Sequence, residues 1–185
     1  MATALRMTIR DLEGFPVPLD DQRYELIDGE LFVSTQPHWH HQSSAANIIY
    51  ALQAWNRQTG AGLVIDAPGV IFANDTAVAP DVVWVSAARL DAVLGDDGKL
   101  HAAPDLVVEL LSPGTENERR DRETKLSLYS RQGVREYWIV NWQRRELQIY
   151  RRREAQLVLS ATLLADDVLQ SPLLPDFAVQ VSEFF

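Results

Sequence analysis

The sequence predicts an α/β (α+β) fold. Three features carry that expectation. Apolar residues alternate on either side of an Asp28-Gly29 pair in YELIDGELFVS, others recur at helical spacing from His41 to Trp55, and PDLVVELL is a nearly continuous apolar run, as expected for a central strand covered on both faces. With 185 residues, 46% hydrophobic and 23% charged, the chain is expected to form a single domain over 1–185 with its core at about 20–150.

Residues 1 to 22 give a weak helical signal and then a Pro-containing turn, FPVPLDD. Tyr24 and Leu26, then Leu31 and Val33, flank Asp28-Gly29 as the strands of a hairpin, on which Glu25 and Glu30 read as solvent-face residues. A helix is expected from Pro37, with His41, Ala45, Ile48, Ile49, Leu52 and Trp55 on one side and Thr59-Gly60 as its end. Its HWHH entry spaces His38 and His41 three apart, but no companion cluster completes a zinc site, so these histidines read as helix-entry or pocket residues.

GLVIDAPGVIF supplies two short strands around Pro68-Gly69, and PDVVWV a third after the turn-prone Asn74-Asp75. Residues 86–101 read as a short amphipathic helix and loop forming a surface excursion. After the PDLVVELL strand, Thr115 is the expected N-cap of a helix closed by Gln132-Gly133, with Asp121, Lys125, Leu128 and Tyr129 along one side. VREYWIVN and ELQIYRR add two strands, and the last 29 residues a strand, a loop and a closing segment.

Composition narrows the chemistry. There is no cysteine, which removes disulfides, thiolate zinc sites and cysteine nucleophiles. Neither a signal-peptide run nor a stretch near the roughly 20 apolar residues of a membrane span is present, so a cytoplasmic protein with no membrane partner is expected. The net charge of -9 is unevenly spread: residues 119–153 hold eleven of the seventeen Lys and Arg against four acids. That segment reads either as a basic patch on an acidic body or as a solvated Arg-rich face.

If the runs behind Asp81 and Glu109 are adjacent antiparallel strands, these two carboxylates meet at one end of the sheet and Asp105 falls at the other. Paired carboxylates in an apolar setting suit a divalent cation, Mg²⁺ with Mn²⁺ as the alternative, and Lys125 on the next helix points to the same place. On these residues alone, Glu109 held by an arginine and Asp121 with Lys125 as an exposed ion pair remain open.

In order over residues 20–145, YELIDGEL, HQSSAANIIYALQAW, PDVVWV, PDLVVELLSP, the K-x-x-x-Y pair Lys125 and Tyr129, and GVREYWIVN resemble the large bacterial family of putative restriction endonucleases, a branch of the PD-(D/E)XK nuclease superfamily. The resemblance implies a restriction-endonuclease-like mixed sheet flanked by helices, with the N-terminal hairpin. It also implies a metal-dependent DNA phosphodiesterase site, in which Asp81, Glu109 and the Leu110 carbonyl hold Mg²⁺ and Lys125 assists the attacking water. Lys125 then replaces the lysine expected at 111, where this chain has Leu111. Glu25 and His41 match pocket positions, and Asn141 stands where the family often has Asp. DNA would meet the 119–153 segment, and a homodimer would cut two strands. A catalytically quiet DNA-binding or regulatory module on the same fold is the alternative, and an enzyme acting on a small phosphorylated or carboxylated substrate a third reading.

Overall fold

A computed structural model describes residues 6–14 and 22–185, so the expected turn at 15–21 lies outside the described residues. Helix α1 (Ile9–Glu13) precedes a hairpin of β1 (Arg23–Ile27) and β2 (Glu30–Ser34). Asp28 and Gly29 both take positive φ, 51° and 79°, as a tight hairpin turn requires, and Ile27 pairs with Glu30. Helix α2 (Trp39–Thr59) starts two residues later than Pro37 because the side chain of His38 accepts from the His40 N–H as its N-cap. Gly60 ends it in the left-handed region at φ 61°.

Strands β3 (Gly62–Asp66) and β4 (Val70–Ala73) flank Pro68-Gly69 but enter different sheets. Asn74-Asp75 is a hairpin turn into β5 (Thr76–Val78), a strand of three residues too short to leave a periodic signal. Strand β6 (Val82–Ser86) leads through a 3₁₀ turn (Ala87–Arg89) into α3 (Leu90–Val93). Residues 86–101 are not a free excursion: Val93 and Leu100 are buried, and Leu100 bridges both Val70 and Leu94.

Strand β7 (Leu106–Leu110) is followed by α4 (Thr115–Arg119), a π-helical stretch (Arg120–Lys125) and α5 (Leu126–Gln132). The residue that caps α4 is Gly114, not Thr115, which is the first helical residue. Gly114 turns the chain at φ 116°, outside the ordinary range of a residue with a Cβ. Strands β8 (Glu136–Asn141), β9 (Glu146–Arg153) and β10 (Gln156–Leu164) come next, then β11 (Val168–Ser171), β12 (Leu174–Gln180) and a 3₁₀ turn (Val181–Phe184). The expected closing loop is thus a second hairpin. It tolerates Pro175 because a two-stranded sheet is all edge, and the Pro175 carbonyl accepts from Trp55 Nε1.

The main sheet has the order β10-β9-β8-β7-β6-β3, antiparallel except for the β7–β8 pair, so it is mixed and flanked by helices as expected. A second sheet runs β2-β1-β5-β4. Alternation along the strands divides the core in two. Val82, Trp84, Leu106, Val108 and Trp138 face α2 and the C-terminal hairpin. Val83, Val85, Val107, Tyr137 and Ile139 face α5 and the second sheet. Among the described residues, no helix is long and apolar enough to cross a membrane.

At the far end of β7, Asp105 is fully buried and bound by the Ser86 N–H, Arg89 and Arg135. Burial pushes its carboxyl up, but the Ser86 hydrogen bond and the Arg89 pair outweigh this and hold it below the usual range. This second PD aspartate is a structural tie.

Candidate active site

Strands β6 and β7 are antiparallel with Val82 opposite Val108, so one residue outward Asp81 faces Glu109. Asp81 continues the alternation of Val83 and Val85, and Glu109 that of Val107, which turns both carboxylates towards the α5 side. The parallel β7–β8 pair requires a crossover, and the helical segment that makes it passes over that same side. Lys125 lies on the crossover, Glu25 on β1 of the second sheet, and His41 on the first turn of α2.

These elements enclose a cavity of about 180 Å³ whose lining includes Arg23, Glu25, His41, Asp81, Glu109, Arg120, Asp121 and Lys125. Lys125 Nζ is 2.9 Å from Glu25 Oε1, 3.0 Å from Glu109 Oε1 and 3.8 Å from Asp121 Oδ1, and is only 2% exposed. Glu109 also accepts from Tyr129 Oη at 2.7 Å, and Glu25 from the Ala79 N–H. Glu25 is thus a buried pocket acid and not a solvent-face strand residue; it shares the inward alternation of Ile27.

Asp81 accepts from the Leu110 N–H at 2.8 Å and from Arg23 at 3.2 Å, and lies 3.3 Å from His41 Nε2. That same Nε2 is 3.1 Å from the Leu110 carbonyl. Both neighbours of His41 Nε2 are acceptor oxygens, so the proton belongs on Nε2, and the ring steadies Asp81. The HWHH cluster therefore divides: His38 caps α2, while His41 alone enters the pocket.

Four carboxylates share this space. Burial, followed by the influence of Asp81, Asp121 and Glu25 and against that of Lys125, pushes the Glu109 carboxyl up to about 8. Burial raises Asp121 as well. Burial also raises Asp81, but the hydrogen bonds from His41 and from the Leu110 N–H outweigh it and the net shift is downward. For Lys125, burial works against the charge and is overcome by Glu109, Glu25 and Asp121, so the ammonium is held protonated well above its ordinary range. In chelator, stability should therefore fall as pH rises from about 4.5 through 8, because folding takes up a proton on Glu109. A Glu109→Gln variant should flatten that slope in urea titrations of wild type and variant at several pH values.

Three features of the pocket lie outside what the sequence predicts. Asp121 and Lys125 are a buried pair, not an exposed one; the i, i+4 spacing with Leu128 and Tyr129 was the available signal. Both sit in the π-wound stretch, a helical irregularity that recurs at functional sites. Arg23 on Asp81 and Arg120, 3.6 Å from Asp121, carried no pattern. Leu111 is buried in the α5-side core, and Asn141 accepts from the Arg144 N–H to shape the β8–β9 turn.

Several cations of the basic segment have partners within the fold. Arg131 pairs with Asp28, Arg135 with Asp105 and Arg151 with Glu136, while Arg152 bonds main-chain carbonyls of Tyr129, Ser130 and Val134.

Among the described residues, no three His, Asp or Glu side chains gather closely enough to cage a metal by themselves. Asp81, Glu109 and the Leu110 carbonyl are the oxygen donors by which the fit of a metal is judged. Mg²⁺ is commonly bound by one or two carboxylates and keeps several waters, so this set fits it. The raised Glu109 carboxyl, and an Asp121 oxygen buried with no hydrogen-bond partner, mark an excess of acidic groups that a cation would relieve.

A model of the Uma2 family, described as "Putative restriction endonuclease", matches residues 10–182. The chain belongs to this family. The Uma2 match takes in every residue of the pocket described above. The fold is similar to the crystal structure of a putative nuclease of DUF820 from Anabaena variabilis, with a TM-score of 0.74 at 14% identity over 97% of each chain. No curated protein matches this Uma2 chain.

Proposed function

We propose that this protein is a metal-dependent DNA endonuclease that hydrolyses phosphodiester bonds at the Asp81–Glu109–Lys125 site. The observation that carries the reading is the shared burial of those three side chains in one cavity, with Lys125 bonded to Glu109, in a chain of a restriction-endonuclease family. Asp81, Glu109 and the Leu110 carbonyl would hold Mg²⁺ or Mn²⁺. Such an ion, when bound, supplies positive charge to a phosphate and lowers the pKa of water.

The remaining work falls to the chain. His41, Arg23 and the Leu110 N–H hold Asp81 ionised and in place. Lys125, surrounded by carboxylates, stays an ammonium and so cannot take a proton from water; it orients the attacking water and offsets charge growing on the phosphate. Glu25, 2.9 Å from Lys125 Nζ, fixes Lys125 together with Glu109. Contacts to the DNA backbone would come from the Arg-rich 119–153 segment, in which Arg119, Arg144 and Arg145 are exposed. A homodimer presenting two such sites would cut both strands.

Purified protein incubated with plasmid DNA should nick or linearise it in Mg²⁺ or Mn²⁺ and stop in chelator. DNA binding that weakens with salt but never leads to cleavage would place the protein among binding modules instead.

A further inference from the structure

Beside the pocket lies a set of rings that the hydrolytic site does not use. His38, Trp39 and His40 are all exposed, Trp39 by 66%; His38 and His40 stack with Trp142 on the β8–β9 turn, and Trp39 stacks on His40. Trp39 lies over His40 with ring centroids 3.4 Å apart, His40 over Trp142 at 5.3 Å, and His38 over Trp142 at 5.1 Å. The interplanar angles are 28°, 22° and 12°, so the planes run nearly parallel.

This stack is bound to the site from two directions. His40 is followed by His41, whose ring meets Asp81 and the Leu110 carbonyl. Trp142 Nε1 donates to the carbonyl of Leu111, the residue after Leu110, at 3.0 Å. The turn beyond Trp142 carries the exposed Arg144 and Arg145. A tryptophan serving only to pin the start of α2 would bury its ring, whereas Trp39 leaves most of its surface to solvent.

We infer that Trp39, His40, His38 and Trp142 form a stacking platform for unpaired nucleobases, with Arg144 and Arg145 meeting the phosphates, so that the enzyme favours substrates with a single-stranded segment next to the cut. His38, His40 and Trp142 form a cluster of nearly parallel rings, and the exposed Trp39 laid over His40 offers a face to which one more flat ring can add. Within a duplex, every base face away from the ends is already covered by its neighbours, so an unpaired base adds to the stack far more readily. Aromatic stacking combined with cationic tracking of the backbone is the general solution for single-strand binding. The inference rests on the nuclease reading for its biological meaning, but its physical content is a binding preference.

The test is fluorescence anisotropy in EDTA with the full chain and three labelled DNAs of equal length: a single strand, the same strand with abasic positions, and a blunt duplex. The single strand should bind most tightly, and abasic substitution should weaken it while leaving the phosphates in place. Trp39→Ala should lose roughly 5- to 150-fold in single-strand affinity, the range for one stacked base, with little change on the duplex or the abasic strand. Trp39→Phe should keep most of the affinity, which separates lost stacking from misfolding, as should an unchanged melting temperature of Trp39→Ala.

Equal affinity of wild type and Trp39→Ala for the single strand, an equal loss on all three DNAs, or no DNA binding at all would overturn the platform. Trp39-dependent strand binding in a protein that cuts nothing would sink the nuclease reading and leave the platform. Cleavage without any Trp39-dependent preference would do the reverse.

Discussion

Asp81→Asn should reduce DNA cleavage by roughly 10²- to 10³-fold or more, the scale for removing one preorganised electrostatic partner of a reaction. The amide is nearly the same size and its oxygen can still accept from the Leu110 N–H, so the backbone around the pocket is kept. What disappears is the negative charge shared with Glu109. With that charge gone the Glu109 carboxyl should also relax downward, because Asp81 is one of the groups that raise it. The variant should bind DNA within a few-fold of wild type while failing to gain melting temperature from added Mg²⁺. Asp105→Asn is the control, since it alters the other PD aspartate, which lies at the opposite end of β7. It should cost about 1 to 3 kcal/mol of stability through the Ser86 and Arg89 bonds and leave the specific activity of folded protein unchanged. Equal cleavage by wild type and Asp81→Asn would remove this residue from the mechanism.

The main strands and the pairing of Asp81 with Glu109 were legible in the sequence because both follow from alternation. A nearly unbroken apolar run marks a strand covered on both faces, and antiparallel neighbours place the start of one beside the end of the next. The direction of Lys125 was legible for a similar reason, since Leu128 and Tyr129 lie at helical spacing from it. Other features depend on tertiary context. Whether Asp121 faces solvent or the sheet is decided by a π-wound stretch that no local pattern announces. Glu25 looks like an outward strand residue until the second sheet folds over the first and turns that side inward. The count of arginines in 119–153 could not tell which of them take partners inside the fold, as Arg131, Arg135 and Arg151 do with Asp28, Asp105 and Glu136. The C-terminal hairpin, expected as a loop and a closing segment, pairs only with itself, and Pro175 fits there because a two-stranded sheet is all edge.

Lys125→Met should lower the folding stability by about 3 to 5 kcal/mol, the usual result of removing one partner from a buried ionic cluster. Lys125 is the common partner of Glu25, Glu109 and Asp121, all of them buried. Methionine fills most of the volume, so the loss would come from charge and not from a cavity. Without the ammonium, Arg120 is the cation left beside Asp121, and the carboxylates must repel one another or take up protons. The folded-state pKa values of Glu109 and Asp121 then rise further above the unfolded ones, so the variant should recover stability as pH falls towards 4.5 and lose it as pH rises. Adding Glu109→Gln to the same chain removes a group that must otherwise take up a proton or repel its neighbours on folding and should restore part of the loss, a non-additivity of about 1 to 3 kcal/mol in a double-mutant cycle of urea unfolding. Mg²⁺ should stabilise the single variant more than wild type, because a cation held by Asp81 and Glu109 would replace part of the missing positive charge. An unfolding midpoint of Lys125→Met matching that of wild type at neutral pH would mean that the carboxylates are neutralised some other way, and that the ammonium is not the centre of charge balance in this pocket.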